Sequence, residues 1–253
     1  MPSQQVEPPP RASERSRLVR VNTSDVVAEK ILERVVAGKL RPGDRIDLDS
    51  IAAELGVSRA PVREALRILQ RDGVVDLPYH RGAFVARFDA STVHEAFELC
   101  ALLNAMTTAR VARSRQPEVL ADLSLATDEV RAASGANEME LASREFRRII
   151  NVAADSPHLR ALLRTFGGLV PVASRLAVEG RLDDECDLVV AENEAIQNGR
   201  VEEACAITID HMRLLGDCAV RRLRSTGVIG DDEQVAPDPD LAILFAAIRG
   251  KAN

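Results

Sequence analysis

The sequence predicts a mainly α-helical protein of two domains, a small helix-turn-helix unit closed by a β-hairpin and then an antiparallel helical bundle. Three observations carry that prediction. Ala, Leu, Val, Glu and Arg dominate the 253 residues, against six Phe, one Tyr and no Trp, a composition that favours helix over sheet. Six amphipathic stretches joined by short breaks fill most of the last two thirds, the pattern of a compact bundle. The charge is also divided. Residues 1–88 carry 15 Lys and Arg against 12 Asp and Glu, net +3, whereas residues 89–253 carry 18 against 27, net −9. A basic first third and an acidic remainder point to two domains with different partners.

Residues 1–20, rich in Pro, Ser and Arg, read as a disordered arm without the apolar core of a signal peptide. The first domain spans 21–88. Its first helix covers Thr23 to Ala37, with Val26, Val27, Ile31, Val35 and Val36 facing inward, Thr23 or Ser24 as cap and Gly38 as stop. KLRPGDRIDL reads as a turn at Pro42-Gly43. A short helix from Asp49 to Leu55 follows, facing inward through Ile51, Ala52 and Leu55 and ending at Gly56. The next helix starts at Ser58, and its Val62, Ala65, Leu66 and Leu69 repeat at three and four as the inward stripe. Val74–Leu77 and Ala83–Phe88 are β-prone runs around PYHRG, a hairpin signal made irregular by Pro78.

The second domain, 89–226, has helices expected at 89–113, 117–134, 137–153, 157–178, 182–198 and 201–225. Residues 227–253 form an acidic, Pro-containing linker and a short apolar stretch, LAILFAAI, expected to dock on the body or on a partner subunit. No apolar run approaches the ~18 residues a membrane span needs, and no 20–50-residue repeat is evident. Cys100, Cys186, Cys205 and Cys218 include no CxxC pair and read as reduced, buried thiols of a bacterial-type cytoplasm.

The helix SRAPVREALRILQRDG carries the functional signal. Arg59, Arg63 and Arg67 lie four apart on an outward stripe, with Gln70 and Arg71 further along. Spacing alone fits a solvated surface helix. The context argues otherwise, because a short apolar helix, a Gly turn, a basic helix and a hairpin in this order are the layout of a winged helix-turn-helix. The N-terminus of such a helix offers free amides and a positive dipole end to phosphate. Arg near that end can make two parallel hydrogen bonds to guanine in the major groove. His80, Arg81 and Gly82 fall at the tip of the wing, where glycine permits close approach to the backbone of DNA.

PGDRIDLDSIAAELGVSRAPVREALRILQRDGVVDLPYHRGAFVA closely resembles the DNA-binding domain of GntR-family bacterial transcription regulators. The resemblance covers about residues 21–88 and implies that Ser58, Arg59, Ala60, Pro61 and Arg63 contact operator DNA, with the wing in or near the minor groove. The helical remainder looks like the FCD effector domain of the FadR subfamily, whose members are usually homodimers on palindromic double-stranded sites. Many FCD domains hold a divalent metal with one Asp and three His. At those positions this chain has Ser143, Arg147, Asn193 and His211. Ser and Asn are weak neutral ligands and a guanidinium cannot coordinate, so no metal or other cofactor is expected.

Two readings of that region stand. In one, Ser143, Arg147, Asn193 and His211 bind an anionic effector directly, a carboxylate or an acyl-CoA. In the other, the cavity is closed and Arg147 pairs with a nearby acid such as Glu192 or Glu194. The first makes the protein an effector-gated regulator, more readily a repressor than an activator; the second makes it constitutive. An enzyme is not expected, since no nucleophile–base pair, GxSxG, P-loop or GxGxxG occurs. The acidic residues Asp183, Asp184 and Glu185 read as dipole partners at a helix start.

Overall fold

The computed structural model describes residues 22–87, 89–166, 170, 181–230, 243 and 245–247. The arm at 1–20, Phe88, the later part of the helix expected at 157–178 and most of the C-terminal segment lie outside the described residues.

In the first domain, α1 (Thr23–Val36) is capped by Asn22, whose side chain accepts from the Ser24 amide at 3.3 Å, so the cap lies one residue earlier than expected. Its buried stripe runs through Val27, Ile31, Leu32 and Val35. Val26 was expected on that stripe but is 39% exposed. Five residues before Ile31, it points about 140° away around the helix. α2 (Leu48–Leu55) starts from Asp47, which accepts from the Asp49 amide at 2.9 Å, and ends at Gly56. α3 (Arg59–Arg71) buries Val62, Ala65, Leu66 and Leu69, the four residues its spacing selects. It packs against α1 and α2.

The hairpin strands are β2 (Val75–Asp76) and β3 (Ala83–Val85), with a further strand, β1 (Arg45–Ile46), on the other side of β3. Arg45 stands opposite Phe84 and Val75 opposite Val85, both antiparallel. KLRPGDRIDL is therefore a turn followed by an edge strand. Two residues show no alternation, so sequence periodicity has nothing to detect there.

Among the described residues, the bundle comprises α4 (Ala90–Ser114), α5 (Pro117–Ala132), α6 (Ala136–Ala153), α7 (Pro157–Leu163, continued by a 3-10 turn at Arg164–Phe166), α8 (Leu182–Gln197) and α9 (Val201–Ser225). α4 and α9, 25 residues each, pack along one another as its spine. A glycine makes that contact possible: a Cβ on Gly216 would meet the Phe97 side chain at 3.0 Å. α5 packs on α6, and α8 lies against α9, α5 and α4.

Among the described residues, hydrogen bonds at two places link the domains. Thr226 donates its hydroxyl to the Val36 carbonyl at 3.1 Å, and Arg71 at the end of α3 donates to the Arg164 carbonyl at 3.4 Å. In the C-terminal segment Phe245 is buried, with the Arg213 guanidinium 5.2 Å from its ring centre, while Ile243 is exposed. No described helix is long and apolar enough to cross a membrane.

Candidate nucleic-acid interface and effector cavity

The N-terminus of α3 is built to leave hydrogen-bonding capacity unspent. Ser58 has the extended backbone of a cap but makes no side-chain capping bond. The residue three further on is Pro61, which lacks the amide such a cap would accept from. The hydroxyl and the first amides of α3 thus face outward together. Asn22, Thr23 and Ser24 line a shallow concavity with Ser58, Ala60 and Pro61, so the N-termini of α1 and α3 open onto one surface. Two positive dipole ends side by side suit a phosphate backbone. The contribution of α1 to this surface was not anticipated from sequence; the signal was its polar start, NTS, read only as a capping sequence.

Along the outward face, Arg59 bonds Asp49 at 2.8 Å and Arg67 bonds Glu64 at 3.1 Å. Both pairs are exposed, hence weak and exchangeable for phosphate. Arg63 has no acidic partner among the described residues and projects from the exposed face. The wing tip carries Tyr79, 88% exposed, His80 at φ +58 and Gly82 at φ +92. The Arg45 guanidinium lies 3.5 Å from where a Gly82 Cβ would sit. Arg45 on β1 is therefore part of the wing, a fifth basic side chain beside Arg59, Arg63, Arg67 and Arg81 that the missed strand concealed.

The second site is a cavity of about 440 Å³ among α4, α6, α7, α8 and α9. Its walls are mostly apolar, with Phe146, Val152, Leu163, Phe166, Met212 and Leu215 among them. Ser143 and Arg147, one turn apart on α6, both line it, as does His211 from α9. Asn193 does not: its side chain accepts from Gln197 at 3.3 Å on the side of α8 facing α5. Arg147 is already paired, its two terminal nitrogens bonding Glu192 at 2.9 and 2.6 Å. Glu192 has no exposed surface, and the hydroxyls of Thr108 and Thr208 approach the same carboxylate at 3.0 and 2.8 Å. Of the second sequence reading of Arg147, the ion pair is present but the closed cavity is not. Asn193 is corrected as a cavity residue, since it turns away, whereas Arg147 stands on the wall as a guanidinium already paired with Glu192.

His211 has a different partner from any expected. Its Nε2 lies 2.8 Å from Glu185, which is buried rather than serving only the helix dipole. Burial pushes the Glu185 carboxyl up, but attraction to His211 and the hydrogen bond outweigh it, holding the group below its usual range. The Ser143 hydroxyl stands near enough to Glu185 to help hold that charge, yet makes no well-formed hydrogen bond. His211 Nδ1 is buried without a hydrogen-bond partner among the described residues. Burial pushes the Cys100 thiol, on the cavity wall, up to about 11, and Cys205 likewise. The four cysteines are free thiols; Cys100, Cys205 and Cys218 are buried as expected, whereas Cys186 is only half-buried.

These residues do not fit a divalent cation. The guanidinium of Arg147 stands among the positions that correspond to ligands, Asn193 points elsewhere, and the described residues contain no cluster of three His, Cys, Asp or Glu side chains placed to hold a metal.

An exposed basic helix set between a polar helix start and a wing, joined to a bundle enclosing an apolar cavity, defines a DNA-binding transcription regulator. Comparison with known proteins gives the same class. Residues 23–85 match the model for bacterial regulatory proteins of the gntR family, and residues 95–214 match the FCD domain. An HTH-type transcriptional regulator of Mycobacterium tuberculosis is 35% identical over 219 residues, 87% of this chain and 90% of the relative. The gluconate operon transcriptional repressor of Bacillus subtilis is 32% identical over 107 residues, 42% of this chain and 44% of its own. Among solved structures, McbR/YncC of E. coli shares the fold, with a TM-score of 0.59 at 21% identity over 76% of this chain and 94% of that one. The chain belongs to the GntR family of bacterial transcription regulators, with an FCD domain behind the DNA-binding domain. It is a regulator, not an enzyme.

Proposed function

We propose that the protein is a homodimeric repressor that binds a palindromic operator through Ser58, Arg59, Ala60, Pro61, Arg63 and Arg67 of the recognition helix and His80, Arg81 and Gly82 of the wing. A ligand in the helical domain weakens that binding, and no metal takes part. The mechanism is a population shift: the occupied cavity favours a spacing of the two recognition helices that no longer matches both half-sites. One observation carries the gating. Arg164, a residue of the cavity wall, accepts through its backbone carbonyl a hydrogen bond from Arg71, the last residue of the recognition helix. The repressor sign follows the gluconate operon repressors among the relatives.

The test is fluorescence anisotropy with DNA from the protein's own promoter and with random DNA of equal length at about 0.15 M salt. Promoter binding should be tighter by about a thousandfold or more and should fall linearly with log salt as counterions are released. Equal affinity for the two DNAs would sink the proposal. A constitutive regulator remains the second reading, favoured by the Arg147–Glu192 pair, which fills the deep anion position. Under that reading no carboxylate or acyl-CoA stabilises the protein in thermal melts while operator binding persists.

A further inference from the structure

We infer that the cavity takes an amphiphilic monoanion head-outward: the charged group on Arg160 and Arg164 at the mouth, the apolar body inside, and a hydroxyl of that body against His211. The inference rests on the cavity being the effector site, and it adds the class of molecule that fills it.

Charge accounting decides the orientation. Inside, Arg147 is neutralised by Glu192, and Glu185 faces His211. A carboxylate placed there would meet the Glu185 carboxylate on the wall and no uncompensated cation among the described residues, and burying an unpaired charge is strongly unfavourable. The mouth is the reverse. Arg144 and Arg148 are engaged by Glu140 and Glu145, but Arg160 and Arg164, four apart on α7 and its 3-10 extension, have no acidic partner among the described residues. Residues four apart share a helix face, so both guanidinia can reach one anion. Between mouth and interior the wall is apolar, and the volume falls within the range of ordinary ligand sites.

His211 Nδ1 supplies the second, independent observation. It is a buried polar atom on the cavity wall with no partner among the described residues, while the other ring nitrogen is held by Glu185. Buried polar groups are seldom left unpaired. A hydroxyl satisfies Nδ1 whichever tautomer the ring adopts, because it both donates and accepts.

The experiment is isothermal titration of the full-length protein with decanoate, with the 3-, 6- and 10-hydroxydecanoates, and with succinate. Decanoate should bind and succinate should not. At least one hydroxydecanoate should bind about tenfold tighter than decanoate, a gain absent in His211→Phe. Arg160→Ala/Arg164→Ala should weaken decanoate about tenfold or more. Succinate binding as well as decanoate, an unchanged double variant, or no gain from any hydroxyl would each overturn the assignment. Operator anisotropy separates it from the gating proposal. If decanoate binds as expected without releasing DNA, the ligand class stands and the gating falls. If succinate alone releases DNA, the gating stands and the class falls.

Discussion

Glu192 has no exposed surface, and its carboxylate stays charged there because Arg147 grips both oxygens while two threonine hydroxyls lie within reach. A buried pair of this kind adds little over well-packed apolar residues, but removing one partner strands the other. Arg147→Ala should therefore destabilise the domain by about 3–5 kcal/mol, and Arg147→Met combined with Glu192→Leu should recover most of that loss. Urea unfolding of the three proteins checks it, and a double variant as unstable as the single one would refute the pairing argument. This site also shows how far a residue type can be taken without coordinates. That Arg147 cannot ligate a metal was legible from the side chain alone. That it is spent on Glu192 was open, because α8 presents Glu192 inward and Glu194 outward only once the rotation of the helix is fixed. Glu185 was misjudged for a related reason: acids in a first turn usually serve the dipole, and nothing local shows that this one faces His211.

Among the elements, the recognition helix was the most legible and the strands the least. Four apolar residues at helical spacing define the buried face of α3 without ambiguity, whereas β1 is two residues long and pulls Arg45 into the wing by pairing with a strand 38 residues away. The helix and the wing should respond differently to truncation. Arg63 stands free at the reading end of α3, so Arg63→Ala should cost about 1–3 kcal/mol on the operator and relax discrimination at one base position. Arg81 is on the wing, and Arg81→Ala should weaken binding alike across sequences while reducing the salt slope by about one. Anisotropy on single-base operator variants at several salt concentrations distinguishes the two outcomes. The start of α4 is a second element with a measurable signature. Asp89 caps it by accepting from the Thr92 amide and from the Ser91 and Thr92 hydroxyls, and these bonds lower its pKa to about 2. A depressed carboxyl stabilises the fold above the unfolded value of about 3.9 and loses that contribution as pH falls through the folded one. Asp89→Ala should thus cost about 1 kcal/mol near pH 7, with the gap from the parent closing toward pH 2 in thermal melts.

At the scale of the whole molecule, the basic DNA-binding domain and the acidic bundle meet at two described hydrogen bonds, Thr226 to Val36 and Arg71 to Arg164. The two differ in what they connect. Thr226 ties the end of α9 to the end of α1, engaging neither a cavity-lining residue nor a residue of the recognition helix, and serves to hold the domains together. Arg71 links the recognition helix to a residue on the cavity wall. A single exposed hydrogen bond of 3.4 Å contributes little stability. Its importance lies in direction, since whatever moves Arg164 moves the point against which α3 ends. Coupling between sites typically amounts to about 1–3 kcal/mol, equivalent to about 5–150-fold in affinity. Arg71→Ala should therefore leave operator affinity without ligand within about twofold of the parent and leave ligand affinity unchanged, while removing most of the ligand-induced loss of DNA binding. Anisotropy with and without saturating decanoate measures all three quantities on the same protein. An undiminished ligand effect in Arg71→Ala would mean that the domains shift as one body about the Thr226–Val36 contact, with the Arg71 bond a bystander.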